Sequence, residues 1–157
     1  MHPIIQQHLG PFAGAVTILV AFVHLIHPRA GFPRLLEYLQ FNLPLLDPRP
    51  LAFSLAGVAM ITGVLLVWNG LLPRTPAYRL GMVMMVVFLV GYVGWHLTGH
   101  GGFWPYIETH HHGGNPVTIM VDHLRTDRWA QVSKSLEIAA LALMYLAYRQ
   151  PPDDEGS

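Results

Sequence analysis

Four long apolar stretches, separated by polar connections, dominate the chain. They cover about residues 11–27, 51–72, 77–99 and 130–149. The second and third approach the ~20 residues that cross a hydrocarbon core at a rise of ~1.5 Å per residue, whereas the first is slightly shorter but uncharged and the fourth is less apolar. The fourth carries Lys134 and Glu137 in its first half, and we expect this charged turn to lie near one interface or to face other helices. The pattern predicts an all-α fold, an integral membrane four-helix bundle, because helices this apolar on every face would otherwise need a large surrounding core.

Two of the connections, at about 28–50 and 97–129, are longer than a simple turn requires. The first contains an amphipathic run, RLLEYLQF, that suits a membrane interface. In the second, Asn115 and Pro116 suit the N-cap and first residue of a short helix, PVTIMVDHLR. With four spans both connections lie on the same side, so we predict that they cap one face of the bundle. Pro11 and Pro50 suit the first turns of the first two spans.

The composition supports a membrane protein and excludes several other classes. Hydrophobic residues make up 52% of the chain and charged residues 11%, against roughly 25% in a soluble domain. The net charge of zero argues against nucleic acid as a partner, since no excess of cations is present to neutralise phosphates. The absence of cysteine excludes disulfides and thiolate metal sites. We therefore predict a single transmembrane domain over 1–150, an acidic tail over 151–157, and no cleavable signal peptide.

Ten histidines stand out in a chain that otherwise avoids polar side chains. The predicted topology places eight of them at one membrane face: His24, His27, His96, His100, His110, His111, His112 and His123. His2 and His8 fall at the other face. The pairs His24/His27 and His96/His100 have i,i+3 and i,i+4 spacing, which puts two imidazoles on one face of a helix. Histidine is the commonest metal ligand, and an ionisable group at membrane depth indicates a functional site.

These spacings predict a shared metal site at this face. Its ligands would be His24, His27, His96 and His100, supplemented by Glu137 and His123. Imidazole suits Zn, Cu or Fe, and inward-facing His and Glu side chains on bundle helices form such sites. With a redox metal the protein would be redox-active or a subunit of an oxidoreductase.

Three other interpretations of the histidines' function stay open. A b-type haem would take one axial histidine from each of two helices, giving an electron carrier. A proton relay would use the His and Glu side chains without a cofactor. Alternatively, the histidines are interface anchors of a non-enzymatic membrane subunit or scaffold. Whether the protein is an enzyme does not follow from the sequence.

The second apolar stretch and its exit, LAGVAMITGVLLVWNGLLPR, resemble the corresponding part of DoxX-like four-helix membrane proteins. Gly57, Gly63 and Arg74 match the glycine-containing helix and basic turn of that family, whereas Met60 stands where an acidic residue is usual. The resemblance implies a small membrane protein linked to quinone or redox chemistry, with no assignable catalytic residues. It implies a quinone or a membrane protein as partner, in addition to the lipid bilayer.

The cationic residues give a slight prediction of orientation in the cell membrane. Six lie on the histidine-rich side: Arg29, Arg34, Arg49, Arg125, Arg128 and Lys134. Three lie on the other side: Arg74, Arg79 and Arg149. Because cytoplasmic loops carry an excess of Lys and Arg, the sequence slightly favours a cytoplasmic location for the histidine-rich face of this multi-pass protein.

Overall fold

The computed structural model describes residues 3–42, 47–100 and 115–150, with side chains from residue 8 onward. Within these ranges the chain forms six helices and no strand. They are α1 (Pro3–Ile26), α2 (Phe32–Gln40), α3 (Arg49–Trp68), α4 (Arg74–Leu97), α5 (Pro116–Thr126) and α6 (Arg128–Tyr148). The all-α prediction is confirmed for this part of the chain. His2, the His110–His112 triplet and the tail 151–157 lie outside the described residues.

Two helix boundaries differ from the sequence prediction. α1 begins at Pro3 rather than near residue 11, so that Pro11 lies inside the helix. A proline removes one backbone donor, and the residues before it still form helix here. α3 ends at Trp68 rather than near residue 72, because Gly70 takes a φ of 69° that ends the helical path.

Three helices are long and apolar enough to cross a membrane: His8–Ile26 of α1, α3 and α4. Their outer faces carry large apolar side chains that no other part of the described chain covers, such as Leu80, Val83 and Val90 of α4. α6 has 21 residues, which is also long enough to span, but it is less apolar. Its first half contains polar residues, namely Gln131, Ser133, Lys134, Ser135 and Glu137.

The four long helices pack side by side. α1 packs against α3 and α6, and α4 packs against α6 and, less extensively, against α3. The buried centre is formed by small and flexible apolar residues: Ala13, Val20, Ala21, Met60, Met85, Ala140 and Met144. On α6 the buried positions follow a helical stripe, Ser133, Glu137, Ala140, Met144 and Ala147. Ser133 and Glu137 are therefore part of the interior and Lys134 is half-buried, whereas Gln131 and Ser135 are exposed.

The C-terminal ends of α1 and α4 meet the N-terminal ends of α3 and α6. At this end the Arg49 guanidinium lies 3.9 Å from the Trp95 ring centroid, and the His27 and Trp129 rings are 5.6 Å apart. α2 packs against α1 and α3, and α5 against α4 and α6. Both short helices thus lie at the end of the molecule that carries the described histidines other than His8.

Gly31 allows the chain to turn sharply after α1. Its N–H donates to the His27 carbonyl at 2.7 Å. A Cβ placed on Gly31 would lie 2.5 Å from the Leu25 carbonyl oxygen and 2.6 Å from that of His24. These neighbours are backbone atoms of the same turn, so only glycine fits without moving the end of α1.

Candidate metal centre

Three histidines from two helices meet beside α4. His96 lies in the last turn of α4, His100 lies just beyond that helix, and His123 lies on α5. One ring nitrogen from each residue falls within 4.8 Å of the others. Nε2 of His96 and Nε2 of His100 lie 3.0 Å and 3.2 Å from Nδ1 of His123. We call these residues the histidine trio.

The protonation of His96 follows from its other ring nitrogen. Its Nδ1 lies 2.8 Å from the Tyr92 carbonyl oxygen. A carbonyl oxygen only accepts hydrogen bonds, so Nδ1 carries the hydrogen and donates it. In the neutral ring Nε2 then holds a lone pair, and this lone pair is directed at His123. A backbone carbonyl that fixes the imidazole tautomer in this way is a usual feature of metal-ligating histidines.

A single hydrogen on His123 Nδ1 does not account for both of its contacts in the trio. With a lone pair on His96 Nε2, the hydrogen of that contact must come from His123 Nδ1. Nδ1 carries at most one hydrogen, which cannot point along both its 3.0 Å and its 3.2 Å contacts. A cation placed among the three nitrogens would accept all three lone pairs at once.

The spacing of the nitrogens suits such a cation. Two nitrogens bound at ~2.0–2.1 Å to one tetrahedral zinc ion are about 3.3 Å apart. The two observed separations, 3.0 Å and 3.2 Å, are close to that value. The third separation, between the nitrogens of His96 and His100, is within 4.8 Å, and three protein ligands would leave one coordination position open.

The backbone at His100 is held in an uncommon conformation. Gly99 and His100 have φ values of 68° and 62°, in the left-handed region. Glycine adopts this region freely, but for histidine it is uncommon and costs of order 1–3 kcal/mol. The left-handed turn ends α4 and brings His100 into contact with His123. Strain of this kind concentrates at functional sites, where surrounding contacts maintain it.

α5 is positioned by its cap and by α4. The Asn115 side chain accepts a hydrogen bond from the Val117 N–H at 2.9 Å, which confirms the predicted N-cap. The Tyr92 hydroxyl donates to the Met120 carbonyl at 3.5 Å and so connects α4 with α5. His123 follows Met120 by three residues, on the side of α5 that faces α4.

His24 and Glu137 form a second, separate contact inside the packed helices. The His24 side chain is 2% exposed and that of Glu137 is 0% exposed. His24 Nε2 lies 3.4 Å from Glu137 Oε1. Glu137 also accepts hydrogen bonds from Ser133 and Lys134.

His27 is used by the turn that follows α1. Its Nδ1 accepts hydrogen bonds from the backbone N–H groups of Ala30 at 3.1 Å and Arg29 at 3.3 Å. Burial lowers the pKa of His27 below the usual histidine value, with Asp127 acting in the opposite direction. The neutral ring is therefore favoured, which agrees with its role as a hydrogen-bond acceptor.

The six predicted ligands thus fall into three places. His96, His100 and His123 come together, His24 pairs with Glu137, and His27 contacts its own turn. His24 and His27 both contact the Phe53 ring, with centroids 4.7 Å and 6.3 Å away, but their ring nitrogens have different partners. Metal binding by any of the six stays a prediction.

Sequence reasoning missed two residues that build these contacts. Ser133 precedes Glu137 by four residues, and this helical spacing was a usable signal for its hydrogen bond. Tyr92 precedes His96 by four residues, but it acts mainly through its carbonyl, and nothing in a side-chain pattern reveals that role.

Comparison of the chain with protein-family models, with curated proteins and with solved structures finds no match. The resemblance of the second apolar stretch to DoxX-like proteins therefore stays a prediction.

Proposed function

We propose that this protein is an integral membrane protein that binds one transition metal ion through His96, His100 and His123. The observation that carries the proposal is the convergence of three ring nitrogens within 4.8 Å. Two further features support it: the tautomer of His96 set by the Tyr92 carbonyl, and the left-handed backbone at His100. Zn, Cu and Fe are the candidate ions, because neutral imidazole suits all three.

The same geometry favours an ion over haem. A haem bound by two histidines needs the porphyrin plane between the two ligating nitrogens. In the trio the nitrogens are at hydrogen-bond distance from one another, at 3.0 Å and 3.2 Å. A porphyrin would fit only if α4 and α5 separated. With Cu or Fe the site would be redox-active, as in an oxidoreductase subunit, whereas with Zn it would not be.

The metal proposal is tested by elemental analysis of protein purified in detergent without a polyhistidine tag. His110, His111 and His112 are first replaced by Asn, because three adjacent imidazoles bind ions nonspecifically. We expect one ion per chain in this background and in His8→Ala, which removes an exposed histidine of α1. His96→Ala and His123→Ala should lose the ion, with affinity falling by more than the roughly 10–100-fold typical of losing an outer hydrogen-bond partner.

His100 needs a matched pair of variants, because its backbone has a positive φ. Asn tolerates the left-handed region well, so His100→Asn removes the imidazole with little change in backbone strain. We expect His100→Asn to lose the ion as fully as His100→Ala. Equal ion content in all trio variants and in the background would contradict the proposal. No stoichiometric ion at all would instead favour a non-enzymatic membrane subunit or scaffold.

We further propose that α6 is a fourth span beside α1, α3 and α4. The support is its length and its packing against α1 and α4, with Ser133 and Glu137 buried between the helices. The chain has no cysteine, so single cysteines can be introduced and labelled from either side of the membrane. Leu71→Cys and Gln150→Cys should be labelled from the same side, and Arg34→Cys from the other. Opposite labelling of Leu71→Cys and Gln150→Cys would show that α6 does not cross.

The same labelling gives the orientation. The excess of cationic residues on the histidine-rich side supports a cytoplasmic location for it. Arg34→Cys should then react only with reagents that reach the cytoplasm.

A further inference from the structure

The contact between His24 and Glu137 belongs to a group of four polar side chains inside the packed helices, which we call the buried cluster. Its members are His24 of α1 and Ser133, Lys134 and Glu137 of α6. The cluster shares no residue with the histidine trio. Buried ionisable groups at membrane depth are expensive, and where they occur they mark pathways for ions or protons.

The hydrogen bonds of Glu137 indicate an ionised carboxylate. Lys134 Nζ donates to both of its oxygens, at 2.8 Å and 2.6 Å, and Ser133 Oγ donates to Oε1 at 2.6 Å. An ionised carboxylate only accepts hydrogen bonds, so all these donors stabilise the charged form. The positive charge of Lys134 balances it.

His24 then faces this carboxylate with a nitrogen that lacks a hydrogen. Its Nδ1 lies 2.9 Å from the Val20 carbonyl oxygen, which can only accept, so Nδ1 carries the hydrogen. In the neutral ring Nε2 holds a lone pair, 3.4 Å from Glu137 Oε1. Two acceptors face each other across this distance, and a proton between them would convert repulsion into a charge-assisted hydrogen bond.

We propose that His24 and Glu137 form a proton-binding site inside the membrane-spanning part of the protein. The ligand is one proton, supplied by water or a hydronium ion. Uptake forms a single N–H bond at His24 Nε2, and the hydrogen is shared with Glu137 Oε1. The charge of the cluster changes from zero, with Lys134 and Glu137 ionised, to plus one. The function it indicates is a proton relay or proton-coupled work within the bilayer.

The surroundings of His24 hold its ring in place for this role. The Phe88 ring of α4 stacks on the imidazole with centroids 4.2 Å apart, and the Phe53 ring of α3 meets it edge-on at 4.7 Å. Aromatic faces also attract a cationic ring. The charged or titratable groups acting on His24 are Glu137 and Lys134 of α6 and His27, which lies just beyond α1. Of these only Glu137 is an acid, so it is the group that would balance the charge of a protonated His24 ring.

The test measures the protonation of the two His24 nitrogens directly. The full chain is labelled with ¹⁵N-histidine, reconstituted in lipid nanodiscs, and followed by NMR from roughly pH 9 to pH 5, the range in which histidine titrates. His24→Gln identifies the His24 signals. We expect Nδ1 to stay protonated throughout and Nε2 to gain its hydrogen as the pH falls.

Two variants should change the proton affinity of His24 in opposite directions, which a merely structural role would not explain, and a third variant is a control. Glu137→Gln removes the negative charge and should weaken proton binding at least tenfold. Ser133→Ala removes a competing donor to Oε1 while keeping every charge, and should strengthen proton binding. Glu37→Gln changes an exposed carboxylate on α2 and should have no effect. If Glu137→Gln does not fold, the increase expected for Ser133→Ala still tests the proposal.

Three results would overturn it. The first is an Nε2 without a hydrogen at every pH. The second is a titration midpoint that neither Glu137→Gln nor Ser133→Ala changes by more than twofold in proton affinity. The third is a shift of the Nε2 signal when a chelator is added to protein that carries His96→Ala and His123→Ala, because with the trio removed that shift would assign the position to a metal ion. None of these depends on whether the histidine trio binds metal.

Discussion

Glu137 and Glu37 offer a matched comparison of a buried and an exposed ion pair. Lys134–Glu137 and Arg34–Glu37 have the same i,i+3 helical spacing. The Glu137 side chain is 0% exposed and that of Lys134 is 14% exposed, whereas those of Glu37 and Arg34 are 49% and 42% exposed. We therefore expect Glu137→Gln to destabilise the protein far more than Glu37→Gln.

The magnitude follows from what each substitution leaves behind. Removing one partner of a fully buried pair costs ~3–5 kcal/mol, because the other charge stays buried without compensation. Lys134 retains some exposure and the Gln amide still accepts one hydrogen bond, so we expect a loss of about 2–3 kcal/mol for Glu137→Gln. At ~2–4 °C per kcal/mol for a chain of this size, Tm should fall by about 5–10 °C. For Glu37→Gln the loss should be about 0.2–1 kcal/mol.

Thermal unfolding in detergent, followed by intrinsic fluorescence, measures both values. The double variant Lys134→Met, Glu137→Leu removes both charges and should recover most of the stability, because well-packed apolar residues often replace a buried pair at little cost. An equal effect of Glu137→Gln and Glu37→Gln would refute the reasoning. So would a double variant whose loss equals the sum of Lys134→Met and Glu137→Leu measured singly.

Two further predictions concern the end of the molecule that carries the trio. Asn115→Ala removes the cap of α5 and should cost about 1 kcal/mol, seen as weaker metal binding with His123 still present, whereas Asn115→Ser should retain the affinity. Burial lowers the pKa of His27, so the folded protein favours the neutral ring; the associated stability is present above the unfolded histidine pKa of ~6.5 and is lost as the pH falls. Protonation at Nδ1 breaks two backbone hydrogen bonds of a partly exposed turn, so the free energy of unfolding should decrease by about 1 kcal/mol between pH 7.5 and 5.5. A corresponding decrease in Tm should be measured, and His27→Gln should remove that part of it. An identical pH dependence in His27→Gln and in wild type would show that the turn does not depend on the neutral ring.

Much of the fold was predictable because it follows from periodicity. Long apolar runs predicted α1, α3 and α4, and Asn115 followed by Pro116 predicted the start of α5. The N-terminal extension of α1 past Pro11 was not predictable from local rules, because proline is common at helix starts and tolerated inside only through context. The burial of Ser133 and Glu137 on α6 was visible only in the structure, and the prediction that α6 is a fourth span stays a proposal.

The sequence predicted a histidine-rich candidate site, but it did not predict which histidines come together. The sequence places most histidines at one end, and His96 and His100 were among the expected ligands. The spacing of His24 and His27 did not reveal that Nδ1 of His27 accepts hydrogen bonds from its own turn, because that contact depends on the path of the chain after α1. His123 was a supplementary candidate, and its central place in the trio depends on how α5 packs against α4, which no local pattern determines.

Asp127 alone separates α5 from α6, and it is both the C-cap of α5 and the N-cap of α6. Its backbone N–H donates to the His123 carbonyl at 2.8 Å, and its carboxylate accepts from the Trp129 N–H at 2.8 Å. A connection of one residue, hydrogen-bonded to both helices, leaves α5 little freedom to move independently of the start of α6. We therefore expect any movement of His123 toward an ion to be accompanied by a movement of the first turn of α6, so that ion binding is felt beyond the residues that contact the ion.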